Sequence, residues 1–437
     1  MIRVLLSVYG FRADYRAGYQ LPKAQALWNR LTETLRRRFA LASRLDARMT
    51  AKHRSLAVGS AEPDAAIAMP PRGRVLSVDV FRGATIAGMI LVNNPGSWTA
   101  GYRQLQHAPW HSCTPTDLIF PFFLFIVGMA ITLSLTDRVA RGSGRHRVYR
   151  QIARRSLILL ALGIFLTNFP HFHLASLRIP GVLQRIGLCY CAAACITIWA
   201  RTRGQALVAV ALLAVYWLLM TLVPVPGYGA GILEPDGNLA GYVDQLLLPG
   251  HTLGADCDPE GLLSTMPAIA TTLFGVLAGT WLRSNRTSGE KLVGFAVAGT
   301  IGVILGKIMD GWFPINKSLW TSSYVVFTGG MALLCFAVCY VVIDLMGHRR
   351  LVTPFIVFGA NPIVVYVLSS LVGRLFELYQ VSRPGQPSVP LRAYLHATFF
   401  APWAGAAGGS LLYAVAFVFI WLLPMTILYR RRIFIRI

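Results

Sequence analysis

The chain has 437 residues, of which 55% are hydrophobic and only 14% are charged, and its mean hydropathy of +0.55 excludes an ordinary soluble protein. The formal net charge of +23 falls in short basic clusters between apolar segments, which is typical of membrane orientation signals and not of nucleic-acid binding. The apolar runs are continuous and lack the alternation of barrel strands. The sequence therefore predicts an all-α, polytopic transmembrane helix bundle in a lipid bilayer, with no nucleic-acid partner.

Residues 1–74 differ from the rest because they are rich in arginine and contain only short apolar runs. No small-residue cleavage pattern of a signal peptide follows these runs. We expect a basic, disordered cytoplasmic extension over residues 1–74, with one amphipathic helix around residues 24–45, and a membrane domain over residues 75–437.

Ten candidate spans follow the extension. Arginines and lysines concentrate in alternate connectors, from the cluster around Arg150 to the one that ends with Arg436. The positive-inside rule makes that side, and both termini, cytoplasmic. The predicted spans cover residues 76–94, 118–136, 156–170, 181–200, 205–223, 263–282, 292–310, 321–343, 353–372 and 405–428.

The outward connector over residues 93–117 is unusually rich in polar and aromatic side chains. His107 lies beside Trp110, and its imidazole has the pKa range of a general base. It could also carry an acyl group, or be an interfacial histidine with an ordinary hydrogen bond; His111 is its rival in the same loop. Asn93 ends the first span, where its amide either caps the helix or stabilises an oxyanion.

Several charged groups lie at the ends of spans. Asp117 begins the second span, where the helix dipole favours a capping acid. Arg185, next to Gln184, has no local acid and must find a carboxylate, a phosphate or carbonyl groups elsewhere. Ion pairs are the simplest interpretation of two i,i+3 couples, Lys307 with Asp310 and Asp79 with Arg82.

Two further polar stretches enter spans from the outer side, one with Asn316 and Lys317 and one with Asp258 and Glu260. Their composition alone indicates helix starts. Cys113 and Cys257 lie in outward loops, and a disulfide between them stays open. Metal-ligand spacing is absent, so no metal is expected, and neither a P-loop nor a dinucleotide-binding glycine motif is present.

Six blocks occur in an order that resembles the heparan-alpha-glucosaminide N-acetyltransferase family and its bacterial relatives. The resemblance runs from about residue 74 to the end of the chain. His107 matches the family's active-site histidine in its HAxW context, Asn93 matches the asparagine of the first block, and Asp117, Gln184 and Arg185 match further motif positions. The blocks are VDVFRGATIAGMILVNNPGSW, LQHAPWHSCTPTDLIFPFFLFIVG, RIPGVLQRIG, DPEGLLSTMPAI, PINKSLWTSSYV and FGANPIVVYV.

The resemblance implies an integral-membrane acyltransferase. Cytoplasmic acetyl-CoA would be the donor, and the amino group of a glucosamine-type sugar or a related envelope glycan on the outer side would be the acceptor. His107 and Asn93 are the predicted catalytic residues. The predicted donor-binding residues are Arg185, Gln184 and Arg82, or arginines of the 138–155 loop, and the predicted acceptor-binding residues are Asp117, Trp110, Asn316 and Lys317.

The implied location is a bacterial inner membrane, with the loop that carries His107 facing the periplasm. A homodimer is left open. The alternative function, from a different class, is a transporter or flippase for a sugar or a lipid-linked substrate, with Arg185, Lys307 and Asp310 along its path.

Overall fold

The computed structural model of the protein describes residues 75–140, 144–254, 257–348, 352–383 and 386–435, without the side chains of 136–140, 383 and 386. The predicted extension over residues 1–74 therefore lies outside the described residues. Within those ranges the chain is a helix bundle with one short β-hairpin. The helices are α1 Leu76–Asn93, α2 Ile119–Ala140, α3 Arg145–Asn168, α4 Val182–Trp199, α5 Thr202–Leu222, α6 Leu239–Leu247, α7 Thr265–Arg283, α8 Ser288–Met309, α9 Ser322–Cys339, α10 Thr353–Ala360, α11 Pro362–Leu378, α12 Leu391–Leu395 and α13 Ala401–Arg430, and the strands are β1 Gln380–Arg383 and β2 Gln386–Pro390.

Eight helices of the described ranges are long and apolar enough to cross a membrane, and a bent pair raises the number to nine. The all-α, polytopic class is thus confirmed. The remaining predicted span, over residues 156–170, corresponds to α3, which begins at Arg145 within the arginine-rich connector. Its first turns are too charged for it to meet the same test, although its second half is apolar.

The predicted span over residues 353–372 is wrong in one respect, because two helices at an angle of 86° replace a single straight one. α10 ends at Asn361, whose φ of −132° and ψ of 57° are not helical. Pro362 follows and has no backbone N–H to continue the helical hydrogen bonds. The Asn361 side chain donates to the carbonyl of Ile433 at 2.9 Å and accepts from the backbone N–H of Ile435 at 2.8 Å.

The connectors between the predicted spans contain structure that the sequence did not predict. Helix α6 follows Asn238, whose side-chain oxygen accepts from the backbone N–H of Gly241 at 2.8 Å, a typical N-cap. Strands β1 and β2 pair antiparallel between α11 and α12. A break at Gly405, with φ of +69°, interrupts α13 near its start. These connectors are therefore built from ordered segments.

The centre of the bundle depends on close contact between α2 and α7. A Cβ atom at Gly128 would lie 1.9 Å from the Thr272 carbonyl oxygen, and one at Gly275 would lie 1.9 Å from the Phe125 carbonyl oxygen. Thr132 bridges the same pair of helices by donating to the carbonyl of Val276 at 3.0 Å. Backbones that approach so closely fix the position of α2, whose first turn belongs to the candidate site.

We expect Gly128→Val or Gly275→Val to lower the thermal unfolding midpoint of the protein in detergent by several degrees. Overpacking costs about 1–3 kcal/mol even where side chains can yield, and here the obstacle is backbone. Gly289→Ala in α8 is the matched control, since its new methyl group would meet nothing within 4 Å. Unchanged midpoints for both valine variants would contradict this packing.

Candidate active site

Asp117 is the buried acid of the 3-10 turn Pro115–Leu118 that leads into α2, and its carboxylate is the centre of a hydrogen-bond network. A capping box forms there with Thr114, so the predicted capping role is confirmed. Oxygen Oδ2 accepts from the backbone N–H groups of Thr114 and Ala108, each at 3.0 Å, and from the Thr114 hydroxyl at 3.0 Å. These bonds leave oxygen Oδ1 available for His107.

One nitrogen of the His107 imidazole is hydrogen-bonded to Asp117. Nδ1 lies 2.7 Å from Oδ1 of Asp117, whose side chain is 1% exposed while that of His107 is 53% exposed. A carboxylate only accepts hydrogen bonds, so this contact assigns the proton of the neutral ring to Nδ1. Nε2 consequently carries the lone pair of the neutral ring.

Lys317 lies against the face of the same ring. Its Nζ is 2.9 Å from Nδ1 and 3.3 Å from Nε2 of His107, and an in-plane approach to both nitrogens would collide with the carbon between them. The amine is also 3.5 Å from Oδ1 of Asp117. Burial lowers the pKa of Lys317 below its ordinary value, against the opposing charges of Asp117 and Glu260.

Backbone hydrogen bonds connect the loop that carries His107 to the loop that carries Lys317. The backbone N–H of Ser112 donates to the carbonyl of Ile315 at 2.8 Å, next to an isolated β-bridge between His111 and Asn316. Tyr324 at the start of α9 donates to the backbone carbonyl of Asp117 at 2.6 Å. These contacts explain why Lys317 reaches a histidine more than two hundred residues earlier in the chain.

Asn316, His111 and Trp110 lie in these loop contacts and are not among the residues that line the cavity beside His107. Asn316 is fully buried, and its amide lies 3.3 Å from Nδ1 of His111. The Trp110 indole donates to the carbonyl of Leu233 at 2.9 Å and packs against a buried cluster under the outer loops. Their contacts indicate that they position the loop.

A cavity of about 280 Å³ adjoins His107 on one side, between the 95–116 loop and helices α1 and α13. Its walls include the exposed aromatic rings of Trp98 and Tyr102. Leu91 of α1 and Ala414 of α13 line it further from the loop. The exposed imidazole therefore borders a space that could hold a ligand.

A second set of cavities runs along the inside of α1. One, of about 70 Å³, is lined by Arg82 and Arg155, and it shares Phe123, Ile186 and Ile363 with a neighbouring cavity of only about 10 Å³ that reaches Met89. We call the two together the α1 passage. On α1 the residues Arg82, Ile86, Met89 and Asn93 recur at intervals of four, three and four, which places them on one helix face.

Two arginines make one end of the α1 passage basic. Arg82 donates to the carbonyl of Gly359 at 3.0 Å and pairs with Asp79 at 3.2 Å, as predicted. The guanidinium of Arg155 lies 4.7 Å from the Tyr190 ring centre, and its buried Nε meets no hydrogen-bond partner within the described residues. About 16 Å further along α1, at 1.5 Å per residue, the exposed side chain of Asn93 continues the same stripe.

Arg185 and Gln184 are not brought to Arg82. Gln184 donates to the carbonyl of Ile179 at 3.1 Å and to the Thr167 hydroxyl at 3.2 Å. Arg185 is 1% exposed and donates to the carbonyl of Gly261 at 3.0 Å. Both lie near the first turn of α4, whereas Tyr190, two turns later, borders the cavity with Arg82.

Other predicted pairs also have definite positions. Lys307 pairs with Asp310 at 3.2 Å, in agreement with the i,i+3 prediction, and both side chains are partly exposed. The structure does not join Cys113 to Cys257. Their sulfur atoms lie near the carbonyl oxygens of Thr114 and Asp258 respectively.

The sequence does not predict the surroundings of Lys317 and Arg155. It indicates an acceptor-binding role for Lys317, and only the three-dimensional fold shows the contact of this residue with His107. Arg155 was one member of a basic cluster, and no feature of that cluster distinguished it. The available signal was its position at the start of the apolar half of α3, where a charge is costly unless it faces a cavity or partner.

The fold and the site define a polytopic helical membrane protein with a His–Asp–Lys cluster at one end of its bundle. The family model described as heparan-alpha-glucosaminide N-acetyltransferase, catalytic, matches residues 74–307, which include His107 and Asp117. The chain belongs to this family.

Two curated relatives are heparan-alpha-glucosaminide N-acetyltransferases. The Homo sapiens protein is 35% identical over 358 residues, which covers 69% of this chain and 53% of the relative. The Mus musculus protein is 32% identical over 351 residues, with coverage of 67% and 53%. The chain therefore spans about half the length of the curated relatives it matches.

The neutral amine is the form of lysine that reacts with amine reagents. Because the pKa of Lys317 is lowered, the labelling curve of this residue should rise at lower pH than the labelling curve of the side chain of Nα-acetyl-lysine. Asp117 opposes this shift, and Asp117→Asn should move the curve to still lower pH. Peptide mass spectrometry after reductive methylation over a pH series measures both effects. A curve at or above that of N-acetyl-lysine, or an upward movement in the variant, would contradict the assigned environment.

Proposed function

We propose that the protein is an integral-membrane acetyltransferase that transfers the acetyl group of acetyl-CoA to the amino group of a glucosamine-type sugar or a related glycan. The observation that carries this proposal is the His107 imidazole, whose Nδ1 is held by buried Asp117 and whose half-exposed ring lines a cavity. Membership of the family supports the reaction class, and the relatives' names supply the acceptor class.

The lone pair on Nε2 takes the proton of the acceptor amine as its nitrogen attacks the thioester carbonyl carbon. The new C–N bond forms, the C–S bond breaks, and the proton passes from the imidazolium to the departing CoA thiolate. The carboxylate of Asp117 stabilises the imidazolium and fixes the tautomer. The same lone pair also serves a two-step route, in which Nε2 carries the acetyl group before the amine accepts it.

Two polar groups are suited to stabilise the oxyanion that develops on the thioester carbonyl. The exposed Asn93 amide lies beyond the α1 passage on the same helix face and hydrogen-bonds no described residue, so its donors remain available. The Lys317 amine lies within 3.3 Å of Nε2 and places a positive charge or a donor next to the reacting atoms. Donors that are already positioned lower the barrier without reorganisation in the transition state.

The donor would enter from the basic end of the α1 passage. Arg82 and Arg155 are suited to bind the CoA phosphates, since guanidinium groups form strong charge-assisted hydrogen bonds with phosphate. The positive-inside rule supports a cytoplasmic position for this end and an outward, periplasmic position for the His107 loop of an inner-membrane protein. The α1 passage would then carry the thioester arm towards Asn93.

His107→Ala should reduce acetyl transfer from labelled acetyl-CoA to glucosamine by about 10²-fold or more, the usual contribution of a positioned general base. The matched variant His111→Gln, in the same loop, should lose less than about tenfold because that side chain only supports the loop. Initial rates of the purified proteins in lipid nanodiscs measure both. Undiminished transfer by His107→Ala would contradict the assignment of His107 as a catalytic residue.

Arg82→Gln and Arg155→Gln should each raise the KM for acetyl-CoA by about tenfold or more, because each removes a charge-assisted contact with phosphate. The KM for the acceptor should change less. Arg201→Gln is the control, since Arg201 is an exposed arginine at the start of α5 and lines neither cavity of the α1 passage. An equal rise in KM for that control would show only a general effect of charge and would contradict the donor site.

A further inference from the structure

The cavity beside His107 extends from the loop along α13 to Ala414. Ala414 lies nine residues beyond the break at Gly405, or about 13 Å along α13 at 1.5 Å per residue. The helix from that break to Arg430 is about 37 Å long, slightly more than the roughly 30 Å of a bilayer's hydrocarbon core. Where α13 spans a bilayer along this length, the floor of the cavity would lie within that core.

The deeper walls of this cavity are apolar. Leu91 and Val92 contribute from α1, and Leu411 and Ala414 contribute from α13. Leu91, Val92 and Leu411 are themselves partly exposed, and the neighbouring Leu412 is 42% exposed. This part of the cavity thus lies beside a helix face whose chemistry suits contact with lipid.

The hydroxyl groups in the cavity wall are mostly engaged already. Ser410 binds the backbone N–H of Ser97 at 3.0 Å, the Ser97 hydroxyl accepts from the backbone N–H of Ala100 at 3.1 Å, and Thr116 donates to the carbonyl of Gln104 at 3.3 Å. Among the described residues that line the cavity there is no Asp, Glu, Lys or Arg. Polar groups for a ligand are confined to the loop end, at His107, Gln106 and Tyr102.

We infer that the acceptor is amphipathic: an amino sugar whose anomeric substituent is a hydrocarbon chain, with the amine at His107 and the chain along Leu91, Leu411 and Ala414. The inference rests on the proposed function and specifies its substrate class. A free glycan would leave the deep apolar walls uncovered and would find few hydrogen-bond partners for its hydroxyl groups there. A hydrocarbon chain, in contrast, removes both its own surface and that of the walls from water. Trp98 and Tyr102 at the loop end suit the faces of a sugar ring.

The test uses the full chain in lipid nanodiscs and compares methyl glucosaminide with octyl glucosaminide as acceptors of the acetyl group. Each compound is kept below its micellar concentration, and free glucosamine is the reference. We expect kcat/KM for the octyl acceptor to exceed that for the methyl acceptor by about tenfold or more, the effect of burying roughly two methylene groups. The sugar and its amine are identical in the two compounds, so the difference reports the chain.

Partition of the octyl chain into the lipid of the nanodisc could also raise kcat/KM, and this effect would be the same in every variant. Variants of the cavity wall therefore distinguish partition from binding in the cavity. Ala414→Leu, and the less buried Ala407→Leu, should bring kcat/KM for the octyl acceptor down towards that for the methyl acceptor. Ala416→Leu is the matched control, since it adds the same side chain to α13 outside the cavity, and it should keep the octyl preference. Thermal unfolding midpoints check that each variant folds.

The outcomes distinguish this inference from the proposal on which it rests. Equal kcat/KM for octyl and methyl acceptors in the unaltered protein would overturn the inference and leave the acetyltransferase proposal standing. An octyl preference that persists in both wall variants would do the same. Absence of His107-dependent transfer to all three acceptors would overturn the acetyltransferase proposal itself, and the inference with it.

Discussion

The carboxylate of Asp117 is the group on which the candidate site depends. A buried negative charge is stable only if its oxygens are satisfied, and two backbone N–H groups, one hydroxyl and one imidazole satisfy them here. The same contacts shape the 106–117 loop, fix the tautomer of His107 and attract Lys317. The need to satisfy this buried charge therefore determines both the local backbone and the positions of the reactive side chains. The close packing of α2 against α7 in turn fixes the position of Asp117.

Much of the architecture followed from the sequence because membrane spans are defined by length and hydropathy, and the regular helices α1, α4 and α9 lie close to their predicted bounds. His107 and Asp117 also emerged from the sequence, since polar groups concentrated between two apolar runs are unusual. The bend at Asn361 did not, because the apolar run continues through it and only the arrangement of the neighbouring chain stabilises it. The contact of Lys317 with His107 depends on two loops meeting across the bundle, which local patterns do not encode.

The two cavity systems have walls of different chemistry. The α1 passage has guanidinium groups at one end, whereas the cavity beside His107 has aromatic and apolar walls. Under the proposed function, a strongly anionic donor and a weakly polar acceptor approach one imidazole by separate routes. Separate routes allow each to be selected by different forces, charge for the donor and shape and apolar contact for the acceptor.

The corner between α10 and α11 depends on a distant part of the chain. α10 packs against α1, while α11 supplies Ile363 and Tyr366 to the wall of the α1 passage, so the corner at Asn361 connects these two parts of the bundle. The Asn361 amide hydrogen-bonds the backbone of Ile433 and Ile435, more than 70 residues later in the sequence. The segment that follows α13 therefore helps to fix the direction in which α11 leaves α10.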